Sequence, residues 1–308
     1  MVTGNRTEKR HGDRMDAAGM PGYRKSTAAG RALLILVAAI VLFAAAGCSK
    51  KPGGNGTGEN PSSAVTPTAG LPDSSNLPED DGTEPALRPE AQAIYQLQTP
   101  AQGDLCAEFV FANYGTIRVR LFSEEARKAV ENFKTLAGNG FYDGIKVGRV
   151  VDDYMVQAGD REGQGVSGTS IYGGGFEDEI SEQLRPLRGA LCMANLGRES
   201  TNSIQFFFVQ TKASVVRSLR APLDNRFHMT LSQYLSEAYG TELDDEELAY
   251  YEVYGGAPWL YGHNTVFGQI YEGYEVLDSL MKVKVTSRLR PNPPVFLETV
   301  RLFHYGEK

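Results

Sequence analysis

The sequence predicts a mainly β domain: a closed or nearly closed antiparallel barrel, capped by two helices and interrupted by a helical insertion. Three observations lead there. From Leu105 onward the chain turns to strand-period segments, and between Val150 and Val209 short apolar runs alternate with glycine-rich loops. Two helical segments carry a core-facing apolar stripe, while the helical patterns of Thr211 to Pro258 interrupt this strand-rich plan. Many strands with two packing helices suit a sheet that curls on itself and is closed by those helices.

Taken in order, Glu108 to Phe111 is a strand, Asn113-Tyr114-Gly115 a turn, and Thr116 to Phe122 its partner, with Ile117, Val119 and Leu121 alternating with Arg118 and Arg120. That pattern is a half-buried hairpin. Ser123 stands as the N-cap of a helix whose Ala126, Ala129, Val130, Phe133, Leu136 and Ala137 form one stripe, and Gly138 ends it. A second helix is predicted over Tyr274 to Val283, and Thr299 to Phe303 reads as a closing strand. Within 211–258, MTLSQYLSEAYG and DDEELAYYEVYGG both read as helices stopped by glycine. The acids of this inserted loop are expected to form a solvated face, with a docking surface for a partner as the alternative.

The first part of the chain carries an address rather than a fold. Seven basic residues up to Arg31 precede the uncharged run Ala32 to Gly47, which ends in Ala45-Ala46-Gly47 before Cys48. This is an export signal, short for a membrane span of about 20 residues. Its ending resembles the bacterial lipobox, which implies cleavage at 1–47 and lipid attachment to the Cys48 thiol. Ala45 stands where that pattern favours leucine, so an uncleaved signal anchor is the alternative. Met20 is an alternative start. Residues 48–100, rich in Gly, Pro, Ser, Thr and Asp, read as a disordered tether from the lipidated cysteine to a domain over 101–308. The expected location is extracytoplasmic, at the cell membrane. Without the signal, 24 basic residues face 35 acidic ones, a balance of −11 that argues against nucleic acid as a partner.

Within the domain, acid-base equipment is sparse. Cys106 and Cys192 read as small buried residues, the histidines show no metal-ligand spacing, and no nucleophile-base set stands out. No metal and no cofactor are expected. The glycine-rich run Gly159 to Gly175 lacks the features of a phosphate loop. Residues two apart in a strand share a side, which puts Met155 with Gln157 and Gln205 with Phe207. If these strands are neighbours, an apolar floor lies between two amides, with Arg149 hanging over it from the end of the preceding strand. On the residues alone this set reads as well as core and an ordinary ion-paired arginine.

The ordered set Arg149, Tyr154-Met155-Val156-Gln157-Ala158-Gly159-Asp160, Ser170-Ile171-Tyr172-Gly173, Phe176-Glu177-Asp178-Glu179, Met193-Ala194-Asn195, Gln205-Phe206-Phe207, Trp259-Leu260 and Val266-Phe267-Gly268 resembles the cyclophilins over residues 105 to 304. The resemblance implies an eight-stranded antiparallel closed barrel capped by two helices and peptidyl-prolyl cis-trans isomerase activity on proline-containing polypeptides. It implies Arg149 and Gln157 as catalytic residues. Met155, Phe207 and Leu260 would line the proline pocket, with Tyr154 and Trp259 at its border. Ala194 and Asn195 would hold the neighbouring backbone, Gln205 would support the cleft, and Asn264 would lie in the substrate site. Asp178 and Glu179 are expected to hold backbone donors.

Two positions depart from the family pattern: Gly148 and Asn264 stand where histidines are common, and the neighbouring His263 could compensate for the second. Reduced activity or altered preference is therefore expected, with a proline-peptide-binding module as the alternative function. Leu196, where small residues are common, suggests a narrowed neighbouring subsite.

Overall fold

The computed structural model describes residues 91–307 apart from 92, 162, 164–167 and 199. The predicted signal, Cys48 and most of the tether lie outside the described residues.

One antiparallel sheet of nine strands forms the body: β1 Leu105–Phe111, β2 Gly115–Leu121, β3 Ile145–Lys146, β4 Arg149–Val151, β5 Met155–Ala158, β6 Ala190–Met193, β7 Phe206–Val209, β8 Val266–Glu272 and β9 Phe296–His304. Their order is β3-β9-β1-β2-β8-β6-β7-β5-β4. The count differs from the expected eight because one short run is divided. β3 and β4 are separated by Val147 and Gly148 alone, and they stand at opposite ends of the strand order. Val147 N–H donates to Val295 O and Gly148 N–H to Gln157 O, both at 2.9 Å. The chain thus changes partners between two adjacent residues, and the sheet curls to let it.

The predicted hairpin is β1–β2, paired from Cys106↔Arg120 to Phe111↔Gly115. Asn113 (φ 66°) and Gly115 (φ 118°) supply the positive φ the turn requires. The first helix is α1, Arg127–Gly138, and it starts later than the sequence suggested. Ser123 is not its cap. A remote carboxylate takes that role: Glu179 accepts the N–H groups of Lys128 and Ala129, each at 2.9 Å. Two orphan donors are satisfied by one anion at the positive end of the helix, so a local hydroxyl is not needed.

The segment 211–258 is helical. It contains α2 Ala213–Ser218, an irregular helical stretch over 220–227, α3 Leu231–Tyr239 and α4 Asp245–Tyr254. Its acids are not all solvated. Glu252 is buried and pairs with Arg220, and Glu247 pairs with Arg185, because α4 is covered on nearly every side. The last helix, α5 Tyr274–Leu280, ends earlier than predicted. Order also begins ahead of residue 101. Gln96 is buried, donates to Gln269 Oε1 at 2.8 Å and Arg185 O at 2.7 Å, and accepts from Arg185 N at 2.7 Å. Ala91 and Leu97 are buried with it.

Alternation along β4 to β7 gives this wall two apolar faces. Val150, Val156, Ala158, Leu191, Met193, Phe206 and Phe208 join a core with Phe109, Phe133, Tyr142 and Phe267, into which α1 and α5 pack. Val151, Met155, Cys192, Phe207 and Val209 point the other way, into a second cluster built with residues of 211–258 and with Trp259 and Leu260. Cys106 and Cys192 are buried free thiols, as expected.

Candidate active site

The site lies on the second face. The ladders align Arg149 with Gln157, Gln157 with Phe207 and Phe207 with Cys192, a row of four side chains running across four strands on one side of the sheet. The next row holds Val151, Met155 and Val209. The strands carrying Gln157 and Phe207 are therefore neighbours. Arg149 opens its strand rather than ending one.

Arg149 is half-buried, its Nε is buried without a hydrogen-bond partner, and no carboxylate lies within ion-pair distance among the described residues. Burial lowers its pKa from the ordinary value, and the Tyr154 phenol acts in the opposite direction. Gln157 does not bond Arg149. Its Nε2 donates to Gln205 Oε1 at 2.8 Å, and its Oε1 is buried without a partner. The site thus presents a guanidinium and an amide oxygen that the protein itself leaves unsatisfied.

The apolar side is buried. Met155 and Leu260 are 2% exposed, Trp259 3% and Phe207 4%. They belong to the same cluster as Leu231, Leu235, Leu243 and Leu248 of the helical segment, which accounts for that burial. Tyr154 meets Trp259 edge-on, with ring centroids 5.5 Å apart. Burial pushes its phenol up to about 12, opposed by the Trp259 indole and the Arg149 guanidinium nearby. Phenol and indole interact electrostatically without reaching hydrogen-bond geometry, and Trp259 Nε1 is buried with no acceptor.

The remaining predicted residues are drawn together at the rim or behind it. Ala194 N–H donates to Gln205 O at 3.0 Å. Asn195 is half-exposed, and its Nδ2 is committed to Asp178 Oδ1 at 3.1 Å and His263 O at 2.8 Å. Asn264 is buried and donates to Met193 O at 3.1 Å, so it braces β6 from behind rather than reaching into the slot. His263 does not take its place: its Nε2 meets Thr241 Oγ1 at 3.1 Å. Leu196 is 48% exposed on the adjoining loop. Glu179 holds backbone donors as expected, whereas Asp178 accepts from the side-chain amides of Asn195 and Asn202 instead.

Sequence reasoning missed Thr241, which touches both His263 and the Trp259 carbonyl, and Tyr239, which packs against the cluster that contains Tyr154 and Trp259. Gly240 marks where α3 ends, but nothing local marks the surface on which that end comes to rest.

Residues 107–302 match the family described as cyclophilin type peptidyl-prolyl cis-trans isomerase/CLD. Two staphylococcal proteins, each named "Putative peptidyl-prolyl cis-trans isomerase", align over 205 residues, 67% of this chain and 95% of theirs: one from Staphylococcus epidermidis RP62A at 38% identity and one from Staphylococcus aureus USA300 at 39%. A crystal structure of a Cryptosporidium parvum cyclophilin type isomerase superposes with a TM-score of 0.48 at 24% identity, over 65% of this chain and 98% of that one. A family match spanning more than half of the sequence, with relatives aligned along nearly their whole length, shows that the chain belongs to the cyclophilin-type peptidyl-prolyl cis-trans isomerases.

Proposed function

We propose that this isomerase works outside the cytoplasm on X-Pro bonds of exported or surface polypeptides, tethered to the bacterial membrane by lipid on Cys48. The motif Ala45-Ala46-Gly47-Cys48 after an uncharged run supports the anchor. Substitution Cys48→Ser tests it: palmitate labelling should vanish and the protein should leave the membrane fraction. Labelling that persists in the variant would remove the anchor from the account.

The chemistry follows from what the bond needs. An amide resists rotation by about 18 to 20 kcal/mol because the nitrogen lone pair is shared with the carbonyl. At the half-rotated state that pair returns to the prolyl nitrogen, which becomes pyramidal and accepts a hydrogen bond. No bond breaks and no proton must be moved. The observation that carries the reading is Arg149: a half-buried cation with no carboxylate partner among the described residues, in register with Gln157 and Phe207. Its planar fork of donors is fixed and always charged, and a poorly solvated setting strengthens its pull on the twisted nitrogen. Gln157 Oε1 offers the complementary acceptor, while Met155, Phe207 and Leu260 receive the proline ring.

The test is an isomerisation assay on a proline peptide with the full chain and Arg149→Ala side by side. Loss of one donor aimed at the transition state should lower kcat/KM about 100-fold or more. A normal rate in the variant would remove the mechanism. Binding with little turnover is the second reading, favoured by Gly148 and by the commitment of Asn264 to Met193 O. Proline peptides that bind without acceleration would establish it.

A further inference from the structure

Helix α3 packs against the turn that carries Trp259 and Leu260. Leu231 and Leu235, four residues apart and hence on one face, are both buried there. Gly240, at φ 69°, ends the helix in the left-handed region, and the next residue, Thr241, donates its N–H back to Leu235 O at 3.2 Å. Thr241 is a polar residue held inside: it is 1% exposed, and Leu243, two residues on, is buried too. The one proton of its hydroxyl goes to the Trp259 carbonyl at 3.4 Å, so the 3.1 Å contact with His263 is an Nε2–H donating to Thr241 Oγ1.

His263 is exposed, beside Gly262 at φ 76°. Its N–H donates to Leu260 O at 3.0 Å, its ring reaches Thr241, and its carbonyl accepts from Asn195 Nδ2 at 2.8 Å. It therefore joins the inserted segment to the rim of the site. Asn195 commits its whole side chain to the protein: Nδ2 also donates to Asp178 Oδ1 at 3.1 Å, and Oδ1 accepts from Gly197 N–H at 3.1 Å. What this half-exposed residue has left to offer a substrate is its main chain, and the side chain is the clamp that fixes it. Asp178 and Gly197 lie outside residues 211–258, whereas the His263 anchor leads, through Thr241, into them.

We propose that Thr241 of the inserted segment is a positioning residue for substrate binding: through His263 it holds the Asn195 main chain where the polypeptide flanking the proline pairs with it. The inference rests on the reading of Ala194 and Asn195 as the residues that hold the substrate backbone. Without the Thr241 bond the His263 ring has no hold on the inserted segment, and the glycine beside it gives the turn freedom to swing. Each substrate must then order the rim as it binds, at the expense of affinity. Arg149 and Gln157 sit on other strands, β4 and β5, so the loss falls on binding rather than on rotation of the bond.

The experiment measures kcat and KM separately on a proline peptide, with the full chain, Thr241→Val, Thr241→Ser, His263→Ala, Asn195→Ala and the double variant Thr241→Val/Asn195→Ala. Thr241→Val keeps the shape and removes the hydroxyl; it should raise KM about fivefold, the scale of one neutral hydrogen bond, with kcat unchanged. Thr241→Ser, which restores the hydroxyl, should restore the wild-type KM. His263→Ala removes the same bond from the exposed side, leaves the buried threonine and the 263 carbonyl in place, and should reproduce the Thr241→Val shift even if the valine disturbs folding. The double variant should have the KM of Asn195→Ala alone, because both changes act through one contact. An unchanged KM in Thr241→Val and His263→Ala, a serine variant as impaired as the valine, or KM increases that multiply in the double variant would overturn the proposal. If Asn195→Ala raises KM while neither Thr241→Val nor His263→Ala does, the positioning role fails and the rim stands. If Asn195→Ala itself leaves KM unmoved, the rim reading fails, and the proposal with it.

Discussion

The two faces of the β4 to β7 wall are both apolar and both buried, yet they treat polar groups in opposite ways. Around the core that receives α1 and α5, most buried polar atoms are bonded. Tyr142 Oη donates to Ile204 O at 3.0 Å, while Asn132 donates to Ser203 O at 2.6 Å and accepts from Ile171 N at 3.0 Å. On the other face, Arg149 Nε, Gln157 Oε1, Trp259 Nε1 and Tyr251 Oη are buried with no partner. An unmet buried donor or acceptor costs roughly 1 to 3 kcal/mol. The unmet atoms gather more on the second side than on the first, where Asn202 Oδ1 is the exception beside Phe176, and the expectation follows that stability and function divide between residues that alternate along single strands.

The contrast predicts that substitutions on the two faces fail differently. Phe133 stacks on Phe109 and Tyr142 and meets Phe206 and Phe267, with centroids 5.4 to 5.7 Å away. Phe133→Ala should cost about 3 to 5 kcal/mol in denaturant unfolding while the folded fraction keeps its kcat/KM. A loss of turnover per folded molecule larger than the loss of stability would break the division.

Arg149→Ala should do the reverse. The expected 100-fold fall in kcat/KM corresponds to about 2.7 kcal/mol of transition-state stabilisation. Its unfolding midpoint should stay or rise, because a poorly solvated cation without a counter-ion is removed. A variant both inactive and destabilised by more than about 2 kcal/mol would make Arg149 a structural residue and erase the distinction between the faces.

How much of this was legible beforehand follows the same line. Alternation in Ile117-Arg118-Val119-Arg120-Leu121 and the stripe from Ala126 to Ala137 encode which side of an element is apolar, and the inner core was read from them. The candidate site residues stood out as an ordered set, and β5–β7 pairing brings two of them, Gln157 and Phe207, against each other. What the sequence hid is which surfaces meet at long range. Ser123 looked like a cap because capping is usually local; Glu179, some fifty residues away, wins because it supplies charge as well as two acceptors. The acids of 211–258 looked solvated because composition is silent about their partners, Arg220 on a neighbouring helical stretch of the same segment and Arg185 outside it. The resting place of α3 was hidden for the same reason, and with it Tyr239.

Gly148 gives the smallest effect and the finest test. It sits where the chain leaves β9 for β5, one residue before Arg149, and its N–H is already held by Gln157 O. A Cβ there would meet Gln157 O and Gly163 Cα at 3.7 Å, ordinary contact, so the glycine is not required by space. Its effect is then the freedom it gives the unfolded chain and the hinge before the guanidinium. Gly148→Ala should raise stability by about 0.4 to 1 kcal/mol. If pre-orientation of Arg149 limits the rate, kcat should rise about twofold with KM unchanged, since only the transition state uses the guanidinium fully. A stabilised variant that turns over more slowly would mean that Arg149 must move during the reaction, and the active face would then differ from the core in mobility as well as in its unmet polar atoms.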